Sequence, residues 1–168
     1  IIGGTYSNSH VDVTGKLIME STTLTSTDDN NGLNNSFVVT TNSIVNVSNS
    51  VFIRSGITSN CLELNQNVNS INITNCTIQQ NSSAGISLYN VPNYNLRGNT
   101  IIGNQGGITL VNCGTGANFT IENNIIMNNM LNGLYMSGSN TSIVGFNIIQ
   151  ENATGIVANN FCSWSLNG

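Results

Sequence analysis

Ile73-Thr-Asn-Cys-Thr-Ile78, Leu96-Arg-Gly-Asn-Thr-Ile101, Ile121-Glu-Asn-Asn-Ile-Ile126 and Val144-Gly-Phe-Asn-Ile-Ile149 are one short phrase written four times. Each copy is followed by an Asn (Asn81, Asn104, Asn129, Asn152) and then by a Gly-apolar pair: Gly85-Ile86, Gly107-Ile108, Gly133-Leu134 and Gly155-Ile156. A fifth copy precedes them. It is Val47-Ser-Asn-Ser-Val-Phe52, with Ser55 at the Asn place and Cys61-Leu62 at the Gly place. The leading apolar residues are spaced by 26, 23, 25 and 23 residues, a period that belongs to solenoids and repeat arrays.

The texture inside a repeat selects the kind of solenoid. Apolar residues alternate over short runs, as in Ile71/Ile73, Ile86/Leu88, Ile108/Leu110 and Phe119/Ile121, which is the period of a strand. No run carries a helical period for long enough to form a helix. Each repeat therefore holds three short strands, around 71–73, 77–79 and 86–88 in the second copy. A chain that turns three corners and returns one step higher stacks each strand about 4.8 Å above its counterpart. That is a single-stranded parallel β-helix of about six rungs, each 23–26 residues long.

With Asn99-Thr-Ile101 and the Asn-x-x-Gly-Ile phrase of 104–108 in view, residues 43–160 resemble the right-handed parallel β-helix repeats of the pectate-lyase-like superfamily. The resemblance implies an all-β, right-handed solenoid. It says little about function, because one scaffold carries lyases, hydrolases, epimerases, adhesins and inert stalks.

The repeat accounts for its own polar residues. Ser50, Cys76, Asn99, Asn124 and Asn147 fall in one column at a corner. A carboxamide both donates and accepts, so Asn99, Asn124 and Asn147 are expected to bond to one another up the axis, with Cys76 interrupting the ladder. The preceding column, Asn49, Asn75, Gly98 and Asn123, holds residues that tolerate a left-handed backbone, and Phe146 breaks it. Tyr94 and Phe119 are expected to stack inside, followed by Ser142 at the same place. Arg97 and Glu122 should point outward on adjacent rungs.

The 168 residues make one elongated domain, or a segment of a longer chain: an irregular first rung over 1–42 with a polar loop at 21–36, regular rungs over 43–160, and a tail at 161–168. In the first rung Val13 is expected where Val47 stands in the next. The chain opens on Ile1-Ile2-Gly3-Gly4 without Met or a signal sequence, which reads as a processed or truncated piece. Charged residues are 6%, while 33 Asn, 19 Ser and 17 Thr make the surface polar without charge. A net charge of −4 with three basic residues disfavours nucleic acid, and no apolar run is long enough to span a membrane.

Chemistry is scarce. The resemblance implies that a lyase would need a carboxylate cluster for Ca²⁺ with a basic residue to take the proton, and a hydrolase several close Asp residues. The seven carboxylates are Asp12, Glu20, Asp28, Asp29, Glu63, Glu122 and Glu151, and only Asp28-Asp29 is a pair. None stands in a motif of those enzymes. His10 has no nucleophile partner, Arg54 reads as a rim residue, and Cys61, Cys76, Cys113 and Cys162 lack metal-ligand spacing. Cys76 is expected as a buried filler. Cys113 is placed in a loop two rungs below Cys162, about 10 Å away and out of disulfide reach. No catalytic, metal or cofactor set is assigned. Ice binding would need an outward column of Thr on every rung, which is not found.

Glycosylation sequons occur at Asn34, Asn46, Asn72, Asn75, Asn81, Asn118, Asn140 and Asn152. About seven would arise from this composition alone, so position has to decide. Asn46 and Asn72 point outward, Asn34 and Asn140 fall in loops, and Asn118 precedes an inward Phe. These five would carry glycan in a chain secreted by a eukaryote, while Asn81 and Asn152 lie in a second inward Asn column. The reading favours a non-catalytic extracellular or cell-surface structural module, a glycosylated stalk or filament subunit stacking head to tail through open solenoid ends. The alternatives are a carbohydrate-binding or adhesion module using Tyr89 and Tyr135, and a fragment of a polysaccharide lyase or hydrolase.

Overall fold

Three corners per turn and three strands between them build the molecule. In this computed structural model the described residues are 2–7, 10–25, 36–53, 63–64, 68–160 and 162–167, with side chains placed for 16–25, 44–53, 68–143, 145–160 and 162–165. Strands β1 (Ile2–Ser7) and β2 (His10–Thr25) open the chain. The first face then stacks β3 (Ser36–Ser48), β6 (Val68–Thr74), β9 (Asn93–Arg97), β12 (Phe119–Glu122), β15 (Asn140–Val144) and β18 (Ser163–Asn167). The second stacks β4 (Val51–Ile53), β7 (Thr77–Gln79), β10 (Thr100–Ile102), β13 (Ile125–Met127) and β16 (Ile148–Gln150). The third is β5 (Glu63–Leu64), β8 (Ala84–Tyr89), β11 (Gly106–Val111), β14 (Asn132–Ser137) and β17 (Thr154–Asn159).

All pairings are parallel between successive turns. Because β2 runs through the first corner, the first two faces are hydrogen-bonded as one folded 13-stranded sheet, and the third is a separate 5-stranded sheet. Among the described residues there is no helix, and the chain makes about five turns rather than six.

The core is a set of vertical apolar stacks. Val47, Ile73, Leu96, Ile121 and Ile143 line the first face, and Phe52, Ile78, Ile101 and Ile126 the second. Ile86, Ile108 and Leu134 line the third beside Leu88, Leu110 and Met136. Each fully buried side chain of this size contributes about 1.5–3 kcal/mol, and like stacks on like because every turn repeats the last. Tyr94 and Phe119 are register partners, Tyr94 fully buried and Phe119 partly so.

Each corner is one left-handed residue followed by an inward one. The left-handed residues are Ser21, Asn49, Asn75, Gly98, Asn123 and Gly145 at the first corner. They are Gln80, Gly103, Asn128 and Glu151 at the second, and Asn90, Asn112, Gly138 and Asn160 at the third. Asn dominates because its short amide tolerates this backbone better than other side chains. Packing adds a second reason for glycine: a Cβ on Gly98 would lie 2.5 Å from the Oδ1 of Asn75 on the turn below. The repeated Gly, second residue of each strand from β8 to β17 on the third face, is kept small for a related reason. A Cβ on Gly133 would lie 2.6 Å from Ile149 Cγ2 and 2.8 Å from Asn152 Nδ2.

Four placements differ from the sequence reading. Met19, not Val13, sits on Val47, while Val13 pairs with Val39. The corner residue that marks the phase there is Ser21 rather than Asn or Gly, and buried Leu17 and Met19 supply the inward pair. The strand also extends to Thr25, shortening the polar loop assigned to 21–36. Ile143, not Val144, stacks on Ile121, so Val144 takes the place of Glu122 and Thr141 the inward place given to Ser142. The displacement comes from one inserted residue. Gly145 takes the left-handed corner and Phe146 is extruded, 87% exposed, with its amide donating to Asn123 Oδ1 at 3.1 Å. The tail also resolves: Ser163–Asn167 is a further first-face strand.

Candidate functional site

Any site on this chain must sit outside its ladders, because the corner amides are committed to one another. Asn99 Nδ2 donates to Asn124 Oδ1 at 3.0 Å, and Asn124 Nδ2 to Asn147 Oδ1 at 3.0 Å. Each Oδ1 also accepts the backbone N–H of the residue below, including Cys76 N to Asn99 Oδ1 at 3.0 Å. Each amide also reaches down to a main-chain oxygen of the turn below, as Asn124 Nδ2 does to Leu96 O at 2.8 Å. Asn81, Asn104, Asn129 and Asn152 repeat this arrangement at the second corner. At the first corner Cys76 replaces an amide with a thiol directed at Thr74 O, 3.3 Å away.

The third corner is built differently, and Cys113 belongs to it rather than to a loop. Cys113 is fully buried, its N–H donates to Ser139 Oγ at 3.0 Å, and its thiol points at Leu88 O, 3.2 Å away. Register places Cys162 above Ser139, so the two cysteines stand two turns apart, and Cys76, Cys113 and Cys162 are free thiols. Burial pushes the Cys76 thiol up to about 11, and burial likewise raises Cys113. Burial also holds Tyr94 well above the usual tyrosine range; its hydroxyl donates to Asn140 O at 2.7 Å. Thr141 Oγ1, buried nearby, makes no hydrogen bond of good geometry.

The outer faces differ in character. On the first face Asn46, Asn72, Asn95, Thr120, Ser142 and Ser165 form an outward polar column. Asn95 Nδ2 donates to Asn72 Oδ1 at 2.8 Å and Thr120 Oγ1 to Asn95 Oδ1 at 3.1 Å, so this amide surface is ordered. Beside it Asn93 Oδ1 accepts from the N–H groups of Ala117 and Asn118. These amides border a shallow groove of about 410 Å³. On the same face Arg97 and Glu122 pair across adjacent turns, 3.6 Å apart, with Arg97 57% exposed. The second face is uncharged and more apolar: Thr23, Val51, Thr77, Thr100, Ile125 and Ile148 form one outward column.

Of the glycosylation candidates, Asn46 and Asn72 are half-buried on the first face and Asn118 is exposed before Phe119. Asn140 is not in a loop. It opens β15, and its Nδ2, the atom a glycan would take, already donates to Gly114 O at 3.2 Å. Asn34, Asp28, Asp29, Arg54 and Cys61 lie outside the described residues, as do the side chains of His10, Asp12 and Glu63. Among the described residues no three of His, Cys, Asp and Glu gather where a metal could be held. No described helix is long and apolar enough to cross a membrane.

Parallel strands in register turn after turn, amide ladders at the corners and largely neutral outer faces define a parallel β-solenoid. Residues 12–167 match the model of the family described as right-handed β-helix region, and the chain belongs to that family. The resemblance to pectate-lyase-like repeats agrees with that membership. No curated protein and no solved structure matches the chain significantly.

Proposed function

We propose that this domain is a non-catalytic structural module, a segment of an extracellular or cell-surface rod that continues along the solenoid axis. The observation that carries the proposal is the upper cross-section. Ile126 and Leu134 are fully buried, yet their counterparts one turn higher, Ile149 and Ile156, are only partly covered, as are the ladder residues Asn147 and Asn152. Among the described residues, strands β16, β17 and β18 each present one unpaired edge at the end of their sheets. Another turn laid on this surface would bury those side chains and pair those edges, whether it came from more of the same chain or from a neighbouring copy. The neutral lateral faces fit a surface exposed to solvent and glycan, with Asn46, Asn72 and Asn118 as the glycan carriers in a eukaryotic secretory setting.

The test for the copy-to-copy form is a concentration series of the chain followed by light scattering and negative-stain microscopy. Rods about 4.8 Å per turn in axial rise, lengthening with concentration, are expected. Compact monomers at every concentration would refute head-to-tail stacking. Replacing Ile156 with Glu at the open end should abolish the rods without unfolding the turns below.

A further inference from the structure

The second face is a flat, uncharged surface that the rod reading does not use. Each turn contributes three residues to it, and they stack from Thr23–Thr25 of β2 up to β16 without a register shift. The middle residue of each three, from Leu24 to Ile149, faces inward, so two outward columns remain. One is the column from Thr23 to Ile148, and the other is Thr25, Ile53, Gln79, Ile102, Met127 and Gln150. Apart from the two Gln, every outward side chain is Thr, Val, Ile or Met. Most are β-branched and stiff at their first torsion, so the surface is rigid as well as flat.

Charge is kept off this face. The charged side chains among the described residues are Lys16, Glu20, Arg97 and Glu122 on the first face and Glu151 at the second corner. The chain carries a net charge of −4, so two copies repel one another except where a neutral surface lets them come close. Apolar exposure rises toward the top of the face. Ile125 is 37% exposed and Ile148 45%, and Phe146, extruded on the adjoining corner, adds an aromatic rim. Contiguous apolar surface of this kind marks an interaction site.

We propose that two copies of this chain pack side by side through their second faces. Like faces fit because both carry the same strand repeat of about 4.8 Å. Rows of side chains from one copy then fill the gaps between rows of the other, with the two sheets about 10 Å apart. A partner without that repeat would match only a turn or two. Three strand residues with a corner residue on each side span about 16 Å, and the six stacked strands about 29 Å. That is roughly 450 Å² in plan, below the about 800 Å² per partner of a standard complex. The pair formed by this chain alone is therefore weak, with a dissociation constant of about 0.1 mM. The contact is lateral and does not depend on axial stacking.

The test is sedimentation equilibrium of the whole chain, with and without Ile156→Glu to close the axial route, joined to a dilution series followed by amide shifts. A monomer–dimer equilibrium is expected to persist in Ile156→Glu, with concentration-dependent shifts at 51–53, 77–79, 100–102 and 125–127. If Ile156→Glu fails to fold, the shifts of the wild-type chain decide. Thr100→Glu or Ile125→Glu places two carboxylates in the contact and should weaken pairing by about tenfold or more. Both positions face outward, so the turns should stay folded. Thr74→Glu adds the same charge on the first face and should leave pairing unchanged. Monomers at every concentration up to about 1 mM, ten times the expected constant, would overturn the assignment. So would shifts confined to the other faces, rods without lateral pairs, or full pairing by Thr100→Glu and Ile125→Glu. Pairs without rods would support it and count against axial stacking alone.

Discussion

Replacing Asn124 with Ala removes the middle rung of the first-corner ladder, and the loss can be worked out atom by atom. Asn124 Oδ1 accepts from Asn99 N at 2.9 Å and from Asn99 Nδ2 at 3.0 Å, while its Nδ2 donates to Leu96 O at 2.8 Å and Asn147 Oδ1 at 3.0 Å. Two of these partners keep another bond. Asn99 Nδ2 still reaches Ile73 O, and Asn147 Oδ1 still accepts Asn124 N. The Asn99 N–H is left without its acceptor, and Leu96 O loses a donor. Both are enclosed, and the site is fully buried, so water cannot replace the amide without opening the corner. An orphaned buried group costs about 1–3 kcal/mol, so the variant should lose about 2–4 kcal/mol. Asn147→Ala, at the half-exposed top of the same ladder, should lose about 1 kcal/mol. Urea unfolding followed by far-ultraviolet circular dichroism measures both. Equal losses in the two variants, or wild-type stability in Asn124→Ala, would show that the ladder does not support the turns as described.

Other perturbations probe other parts of the same argument. Deleting Phe146 should leave the melting temperature nearly unchanged, because Gly145 and Asn147 then stand as their counterparts do on lower turns; a large drop would refute its assignment as an extruded insertion. Gly133→Ala should destabilise by about 1–3 kcal/mol through contact with Ile149 and Asn152, read in the same urea assay. Raising the pH should weaken the fold from about pH 9 upward. There the unfolded Cys76 thiol ionises (its ordinary value is 9.0), while the folded one stays protonated until about 11; Cys76→Ser should flatten that slope. Iodoacetamide should label Cys162 well before Cys76 or Cys113, as read by peptide mass, given their burial. Arg97→Ala should change stability by no more than about 1 kcal/mol, because the pair it breaks with Glu122 is open to solvent.

Repetition made the fold legible from the chain alone. A strand period inside a repeat of 23–26 residues leaves few ways to bury the apolar face, and the parallel solenoid satisfies them all. Columns could be aligned wherever a corner residue marked the phase, which is why Asn99 and Asn124, or Arg97 and Glu122, could be set side by side before any coordinates. Where the marks fail, the phase fails too. β2 passes between faces without a left-handed residue before Ser21, so nothing in the letters distinguishes Val13 from Met19; the burial of Leu17 and Met19 against the next turn decides it. Phe146 is as apolar as any core residue, and only the contest for one corner position between Gly145 and Phe146 expels it. Local periodicity thus determines which residues face inward. The choice of which residue stands over which is made by hydrogen bonding and packing between turns, energies that exist only once the chain has come around.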